Sequence, residues 1–248
     1  MRYVPHEYQE YAKEFIVSRK VSALFLDCGL GKTVITLTAI WELLLDYFEI
    51  RRVLVIAPFR VSRDTWSGEL EKWNHLSGIE MSLVLGSEKE RRAALNKRVN
   101  VYVINRENVE WLVENYRWDF DMVVIDELSS FKSHKAKRFK ALKKVRPVVK
   151  RIVGLTGTPA PNGLIDLWAE IGILDMGQRL GRFIGGYRER FFVPDKRSRE
   201  MVFSYKPREG AEETIYGLLS DICISMKAVD YLEMPECIYN QVEVAMSD

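Results

Sequence analysis

The sequence predicts an α/β protein built on a mostly parallel, doubly wound β-sheet flanked by helices. Short runs of β-branched and apolar residues alternate along the chain with longer amphipathic stretches. Continuous apolar runs of this kind are typical of parallel strands that are buried on both faces. The length of 248 residues and the hydrophobic content of 47% are sufficient for one large domain with a full core.

Six strands are predicted from apolar runs at 21–26, 53–57, 81–85, 99–104, 122–125 and 151–155. Between these runs, apolar residues recur at spacings of three and four, as at Leu37, Ile40 and Leu44. This spacing is typical of helices that pack one face on a sheet. Right-handed crossovers then join successive strands, and ligands of such folds bind at the carboxyl ends of the strands.

The character of the sequence changes near residue 176. Residues 1–175 carry the alternating pattern and form the predicted main lobe, whereas residues 176–235 include a stretch rich in glycine, arginine and aromatic side chains. We expect this second segment to be a small C-terminal appendage of irregular structure that packs on the lobe. Residues 239–246 alternate as a strand does.

Overall charge and cysteine content limit the class of protein. A net charge of +2 is too close to neutral to indicate nucleic-acid binding, so a basic surface must come from local clustering. The cysteines, Cys28, Cys223 and Cys237, are far apart and form no CxxC pair, which predicts reduced thiols in a cytoplasmic protein. No signal peptide or membrane-spanning segment is predicted, and we expect no membrane contact.

A glycine-rich segment follows the first predicted strand and leads into a helix. Its residues are Asp27, Cys28, Gly29, Leu30, Gly31, Lys32 and Thr33. The glycines let backbone N–H groups approach phosphate oxygens, and the start of the helix adds the positive end of its dipole. Lys32 is then placed to bridge the β- and γ-phosphates of ATP, and Thr33 to ligate Mg²⁺.

The strict pattern of a phosphate-binding loop has glycine where this chain has Leu26. The alternative is a glycine-rich turn that ends in a lysine and binds nothing. The order of strand, loop and helix favours the phosphate-binding loop.

Two adjacent carboxylates, Asp126 and Glu127, directly follow the strand predicted at 122–125. We expect Asp126 to hold Mg²⁺ through water, and Glu127 to polarise the attacking water as a general base. In the alternative, Asp126 caps the next helix and Glu127 faces solvent. The phosphate-binding loop upstream favours the catalytic interpretation.

The last predicted strand ends in a turn of small hydroxyl residues and prolines that includes Thr156, Gly157 and Thr158. Such a turn is stiff and forms local hydrogen bonds. Alone it indicates no more than a loop. Because it ends the strand that follows the acidic pair, we expect it to lie near the γ-phosphate and to couple nucleotide state to nucleic-acid contact.

Together these motifs resemble those of the Swi2/Snf2 family of superfamily 2 helicase-like ATPases, especially its compact phage and bacterial forms. The loop at 27–33 resembles motif I, Ala57-Pro58 motif Ia, residues 126–129 motif II, and residues 155–159 motif III. The resemblance implies that residues 1–175 are a recA-like P-loop NTPase lobe that uses ATP and Mg²⁺ in a bacterial or phage-infected cell.

The resemblance also gives meaning to residues outside the main motifs. Gln9 resembles the glutamine that reads adenine, and Ser129 stands where many relatives have histidine. Trp66 and Trp73 resemble the segment after motif Ia, although two tryptophans spaced seven apart are more typical of a core. Residues 236–248 resemble the start of a connection to a second recA-like lobe, which carries the arginine fingers in this family.

The same resemblance implies that the carboxyl-end surface contacts the phosphates of DNA, which we expect to be double-stranded. The candidate contacts are Arg60, Asn105 and Arg106. Basic residues are also dense at 132–151, although such a run is more typical of a solvated helix face.

Three functions follow, of which the first is the motor lobe of a DNA-dependent ATPase that translocates on duplex DNA. The second is a module that binds ATP and DNA but turns over little in isolation, because it lacks the arginine fingers. The third is a small-molecule kinase, which leaves Gln9, the acidic pair and the turn at 156–159 without roles.

Overall fold

A seven-stranded parallel sheet forms the centre of the molecule. The computed structural model of the protein describes residues 1–196 and 204–231. The strands of the sheet are β1 Val21–Leu26, β2 Val53–Ala57, β3 Met81–Val84, β4 Val101–Asn105, β5 Met122–Asp126, β6 Arg151–Thr156 and β9 Cys223–Met226. Two further strands, β7 Phe192–Pro194 and β8 Tyr205–Pro207, form a separate antiparallel pair. The sheet order is β3-β4-β2-β5-β6-β1-β9, with every neighbouring pair parallel. The predicted fold class is confirmed.

Helices cover both faces of this sheet. They are α1 Glu7–Ser18, α2 Lys32–Trp41, α3 Trp66–Lys72, α4 Glu88–Leu95, α5 Val109–Asn115, α6 Lys137–Val145, α7 Leu167–Asp175, α8 Ile184–Phe191 and α9 Ala211–Leu219. Side chains of α1 to α3 pack on one face with Val53 and Val55 of β2, and side chains of α4 to α9 pack on the other with Leu54 and Ile56. Each fully buried aliphatic side chain of this kind contributes about 1.5–3 kcal/mol to folding.

The sequence did not predict β9, which lies at the edge of the sheet beside β1. Four residues pair with β1, in register from Ala23 opposite Cys223 to Leu26 opposite Met226. The strand is short and carries Ser225, so its apolar run is too weak to predict a strand. Its position is important because β1 leads directly into the predicted phosphate-binding loop.

Ordered helices occupy the segment for which irregular structure was predicted, so that prediction was wrong. This segment contains α8, α9 and the antiparallel β7–β8 hairpin. The Tyr187 hydroxyl of α8 donates to the Leu164 carbonyl oxygen at 2.7 Å, tying the helix to the main lobe. The glycines at 185 and 186 lie in the first turn of α8, where they suggested a loop.

Several sequence predictions fall outside the described residues, namely the strand at 239–246, the connection at 236–248 and Cys237. Cys28 and Cys223 are free thiols. Within 1–196 and 204–231, no helix has the length and apolar character needed to cross a membrane.

Candidate active site

The predicted motifs follow the carboxyl ends of β1, β5 and β6, so they lie together at the carboxyl end of the sheet. These three strands are neighbours in the order β5-β6-β1, so the residues that follow them must converge. The phosphate-binding loop follows β1, the acidic pair lies at the end of β5, and the turn at 156–158 lies at the end of β6. Residues far apart in the sequence thus share one site.

The loop after β1 has the backbone conformation that its glycines predict. Gly29 has φ of 90° and Gly31 has φ of 80°, both in the left-handed region. Gly31 is the N-cap of α2, so the loop passes directly into the helix N-terminus. The Leu30 side chain between them is fully buried and anchors the loop to the core.

Lys32 directs its ammonium group back over the loop. Its Nζ donates to the carbonyl oxygen of Leu26 at 2.6 Å and to that of Asp27 at 3.1 Å. A Cβ added at Gly157 would lie 3.7 Å from the same Nζ. The ammonium therefore lies between the loop after β1 and the turn after β6, where phosphate oxygens would meet it.

Asp27 has a structural role that the sequence did not reveal. Its N–H donates to the Met226 carbonyl oxygen at 3.2 Å, and its Oδ2 accepts the Ala228 N–H at 2.9 Å. Both contacts join the start of the loop to the end of β9. The edge strand therefore holds one side of the phosphate-binding loop.

A pocket of about 580 Å³ opens beside this loop, a volume suited to a small-molecule ligand. Six predicted residues line it: Gln9, Cys28, Gly29, Gly31, Lys32 and Thr33. The remaining lining includes Tyr3 and Trp73, whose rings pack edge to face with centroids 5.2 Å apart. The pocket therefore has a polar, cationic end at the loop and an aromatic wall.

Gln9 lies on the wall of this pocket, and its predicted contact with adenine stays a prediction. Its Oε1 accepts from the His6 N–H at 3.1 Å and from the Tyr3 hydroxyl at 3.3 Å, and its Nε2 donates to the Leu30 carbonyl oxygen at 3.4 Å. A Cβ at Gly31 would lie 2.7 Å from that Nε2. A larger residue at 31 would therefore displace the Gln9 amide or the loop.

Asp126 is held by a residue that the sequence placed in the core. The indole N–H of Trp66 donates to Asp126 Oδ2 at 2.9 Å. Burial raises the pKa of Asp126 above its ordinary value, and the nearby Glu127 carboxylate raises it further, whereas the Trp66 N–H and the Lys32 ammonium lower it. The influence of Lys32 shows that the two motifs lie within electrostatic reach of each other.

Glu127 has an unusual backbone and a defined set of donors. Its φ of 69° lies in the left-handed region, which is costly for a residue with a Cβ. The Thr156 hydroxyl donates to Glu127 Oε1 at 2.8 Å, and the Ser129 hydroxyl donates to the same oxygen. The Thr158 N–H in turn donates to Thr156 Oγ1 at 3.1 Å. A continuous hydrogen-bond chain therefore links the turn after β6 to the acidic pair.

Glu170 of α7 is a further carboxylate near this site that sequence reasoning missed. It is fully buried, and neither of its carboxylate oxygens has a hydrogen-bond partner among the described residues. Burial raises its pKa to about 8, and the negative charges of Asp166 and Glu127 act in the same direction, opposed by a weak interaction with the Ala160 backbone N–H and by the charge of Lys132. A glutamate on a helix gives no sequence signal that it will be buried.

The predicted DNA contacts lie at the carboxyl ends of β2 and β4, on the same side of the sheet as the motifs. Arg60 is exposed. Asn105 is buried, with its Nδ2 donating to Glu107 at 3.1 Å and its Oδ1 accepting from Asn108 at 2.6 Å. Arg106 pairs with Glu107 at 2.9 Å. Arg60 is thus the most accessible of the three, and DNA contact by any of them stays a prediction.

A model of the SNF2-related domain matches residues 8–183 of the chain. A relative, putative protein p41 of Acyrthosiphon pisum secondary endosymbiont phage 1, is 37% identical over 98% of this chain and 55% of its own length. DNA excision repair protein ERCC-6-like of Mus musculus is 29% identical over 78% of this chain and 16% of its own. The chain thus spans about half of the phage relative and a small part of the repair protein.

Two solved structures share the fold. The Sulfolobus solfataricus SWI2/SNF2 ATPase core in complex with dsDNA has a TM-score of 0.74 and 21% identity, over 92% of this chain and 45% of that one. The Sulfolobus solfataricus SWI2/SNF2 ATPase core domain has a TM-score of 0.69 and 23% identity, over 93% and 45%. At these identities the likeness establishes the fold, which the sequence had predicted.

Proposed function

The chain belongs to the SNF2-related domain family, and from this premise we propose that it is the ATP-binding and ATP-hydrolysing motor lobe of a DNA-dependent translocase. The observation that carries the proposal is the convergence of three motifs at the carboxyl end of the sheet. There the Lys32 ammonium lies beside the turn after β6, and that turn is hydrogen-bonded to Glu127.

The residues at the carboxyl end of the sheet fit a nucleoside triphosphate. The left-handed glycines of the loop turn its backbone toward the N-terminus of α2, and helix N-termini bind phosphate through free N–H groups and the dipole. Lys32 adds a full positive charge at the same place. We propose that Gln9 reads the adenine edge from the pocket wall, by its paired amide donor and acceptor.

The donor set also fits Mg²⁺, which prefers carboxylate, hydroxyl and phosphate oxygens. Thr33 lines the pocket, and Asp126 lies close enough to Lys32 for the ammonium to lower its pKa. We propose that these two residues hold the ion together with the phosphates of ATP. Bound there, Mg²⁺ neutralises phosphate charge during hydrolysis.

Glu127 is the proposed general base. A carboxylate that accepts two hydroxyl hydrogen bonds at one oxygen is fixed in orientation, which leaves its second oxygen to accept a proton from the attacking water. Because one of those hydroxyls belongs to Thr156, movement of the turn at 156–158 changes the position of the base. This is how we expect nucleic-acid contact and hydrolysis to be coupled.

A second recA-like lobe completes the proposed motor. The chain covers 45% of each of the two solved ATPase cores, and arginine fingers from a second lobe commonly stabilise the transferring phosphoryl group. We propose that the chain by itself binds ATP and DNA with little turnover, and that the joined lobes hydrolyse ATP when they contact the phosphates of duplex DNA. The proposed location is the cytoplasm.

Two variants separate binding from hydrolysis. Lys32→Ala should weaken binding of a fluorescent ATP analogue to the chain, whereas Glu127→Gln should leave that binding intact and abolish hydrolysis in a protein that carries both lobes. Equilibrium fluorescence titration and phosphate release are the measurements. Nucleotide binding that survives Lys32→Ala, or turnover that survives Glu127→Gln, would contradict the proposal.

A further inference from the structure

Trp66 is a large residue of the core on the α1–α3 side, and its polar atom reaches the acidic pair. Its side chain is fully buried, and its indole N–H meets Asp126 Oδ2 at 2.9 Å. A buried carboxylate that lacks such a donor is destabilised by desolvation. The hydrogen bond therefore favours one orientation of the carboxylate as well as its charged form.

The segment that carries Trp66 is firmly attached to the sheet. The Ser62 hydroxyl lies 3.1 Å from the Ala57 carbonyl oxygen, at the end of β2, and 3.3 Å from the Ile104 carbonyl oxygen of β4. The Ser62 N–H donates to the Pro58 carbonyl oxygen at 2.8 Å. Since helical turns run from Val61 into α3 without a break, Trp66 approaches Asp126 from a rigid support.

The same segment borders the rest of the site. Arg60, exposed at its start, is a proposed DNA contact, and Glu69 and Trp73 line the nucleotide pocket. The Trp73 indole N–H is taken by Glu69, at 2.6 Å, so the two tryptophans donate to different carboxylates. Trp66 is thus the member of this segment that touches the proposed metal ligand.

We propose that Trp66 is a positioning residue that orients the Asp126 carboxylate toward the Mg²⁺ of a bound nucleotide. The inference rests on the proposed function, because it takes Asp126 as the residue that holds the ion. Hydrogen-bond partners of metal ligands fix ligand geometry, and their loss typically lowers metal affinity by about 10–100-fold. Trp66 belongs to the core and also acts on the site.

The test is a titration of Mg²⁺ into the chain in the presence of a fluorescent ADP. Trp66→Phe removes the N–H and keeps an aromatic ring, and we expect it to raise the half-saturating Mg²⁺ concentration by about tenfold. Affinity for ADP without Mg²⁺ should not change. If Trp66 had only a packing role, its substitution would weaken ADP binding both with and without Mg²⁺.

Two further variants control for the size of the truncation. Trp168 is also buried, and its indole N–H donates to the Gly181 carbonyl oxygen at 2.8 Å, in the opposite core layer. Trp168→Phe should therefore behave as wild type in the Mg²⁺ titration. Trp66→His is smaller than the wild-type side chain but keeps a ring N–H, so its Mg²⁺ requirement should lie nearer to wild type than that of Trp66→Phe.

Asp126→Asn distinguishes failure of the inference from failure of the proposed function. If Asp126→Asn loses the Mg²⁺ effect while Trp66→Phe retains it, or if Trp66→His is as impaired as Trp66→Phe, the positioning role is overturned. If wild type itself shows no Mg²⁺ effect on ADP binding, the proposed metal site is wrong and the inference falls with it.

Discussion

Two residues at the site, Glu127 and Ala160, have a strained backbone conformation. In the part of the chain that the structure describes, the non-glycine residues with positive φ are Phe48, Glu127, Ala160 and Met176. Glu127 is the proposed base, and Ala160 lies in the turn after β6 that contacts it through Thr156. Strained conformations persist where surrounding contacts hold them, which is common at functional sites.

Glu170 yields a prediction about the pH dependence of stability. Its folded pKa of about 8 lies above the ordinary glutamate value of 4.5, so the folded state retains a proton that the unfolded state releases. The stability that this protonated carboxyl contributes is fully present below pH 4.5 and is lost as the pH rises from 4.5 to 8. Over that pH range the free energy of unfolding falls by up to roughly 1.4 kcal/mol per pH unit.

Glu170→Gln should therefore flatten the fall in stability between pH 5 and pH 8. Urea unfolding at several pH values measures this slope. Glu212, exposed on α9, provides the control, and Glu212→Gln should retain the wild-type slope. An unchanged slope in Glu170→Gln would show that burial does not hold this carboxyl neutral.

The sequence alone predicts the proposed nucleotide-contacting residues but not the contacts that hold them in place. Recognisable local patterns contain Lys32, Asp126 and Glu127, and the structure brings these residues together at the carboxyl end of the sheet. Trp66 donates to Asp126, 60 positions away in the chain, and Glu170 is buried near Glu127, 43 positions away, whose charge raises its pKa. Such contacts depend on tertiary packing, which leaves no local signal.

At the scale of elements, the loop after β1 depends on Gly31 for conformation and for space. Gly31→Ala places a Cβ on a left-handed residue, which costs about 1–2 kcal/mol, and brings it to 2.7 Å from Gln9 Nε2. We expect both lower stability and weaker nucleotide binding, measured by thermal unfolding and fluorescence titration.

Gly181→Ala is the matched control for this prediction. Gly181 has φ of 89°, and nothing lies within 4 Å of an added Cβ. It should lose similar stability without losing nucleotide affinity. Equal loss of affinity in both variants would show that general destabilisation, rather than the contact with Gln9, weakens binding.

The ends of β5 and β6 are coupled by the Thr156 hydroxyl. Thr156→Val removes the donor to Glu127 and the acceptor for the Thr158 N–H. Loss of a hydrogen bond to a charged group costs about 1.5–3 kcal/mol, so kcat in the two-lobed protein should fall roughly 10–100-fold. Thr156→Ser keeps the hydroxyl and should retain most activity; equal loss in both variants would argue against the coupling.

Strand prediction succeeded where a strand is buried on both faces and failed at the sheet edge. The six predicted strands, β1 to β6, all occur, with bounds shifted by at most two residues. The edge strand β9 is too short and too polar to be distinguished from a turn. Helices α8 and α9 were missed because glycines near or within them predict irregular structure.

At the scale of the whole molecule, the net charge of +2 is too small to attract DNA strongly, so the proposed DNA binding must depend on local contacts. DNA affinity should fall linearly with salt on logarithmic axes, with a slope of about −0.9 for each phosphate contact on duplex DNA. Arg60→Ala should make this slope shallower by about one contact.

Arg63 is the matched control in this experiment. It is exposed near Arg60 on the same segment, but its charge is paired with Asp64, to which its Nε and Nη2 donate at 2.7 and 2.8 Å. Arg63→Ala should leave the salt slope unchanged. An equal effect of both substitutions would indicate diffuse attraction rather than a phosphate contact at Arg60.

The central claim is that contact with duplex DNA drives ATP hydrolysis at Glu127. The most direct measurement is phosphate release by the protein joined to its second lobe, for wild type and Glu127→Gln, with and without duplex DNA. We predict strong stimulation of wild type by DNA and no turnover by Glu127→Gln under either condition. Hydrolysis that ignores DNA, or that continues in Glu127→Gln, would contradict the account.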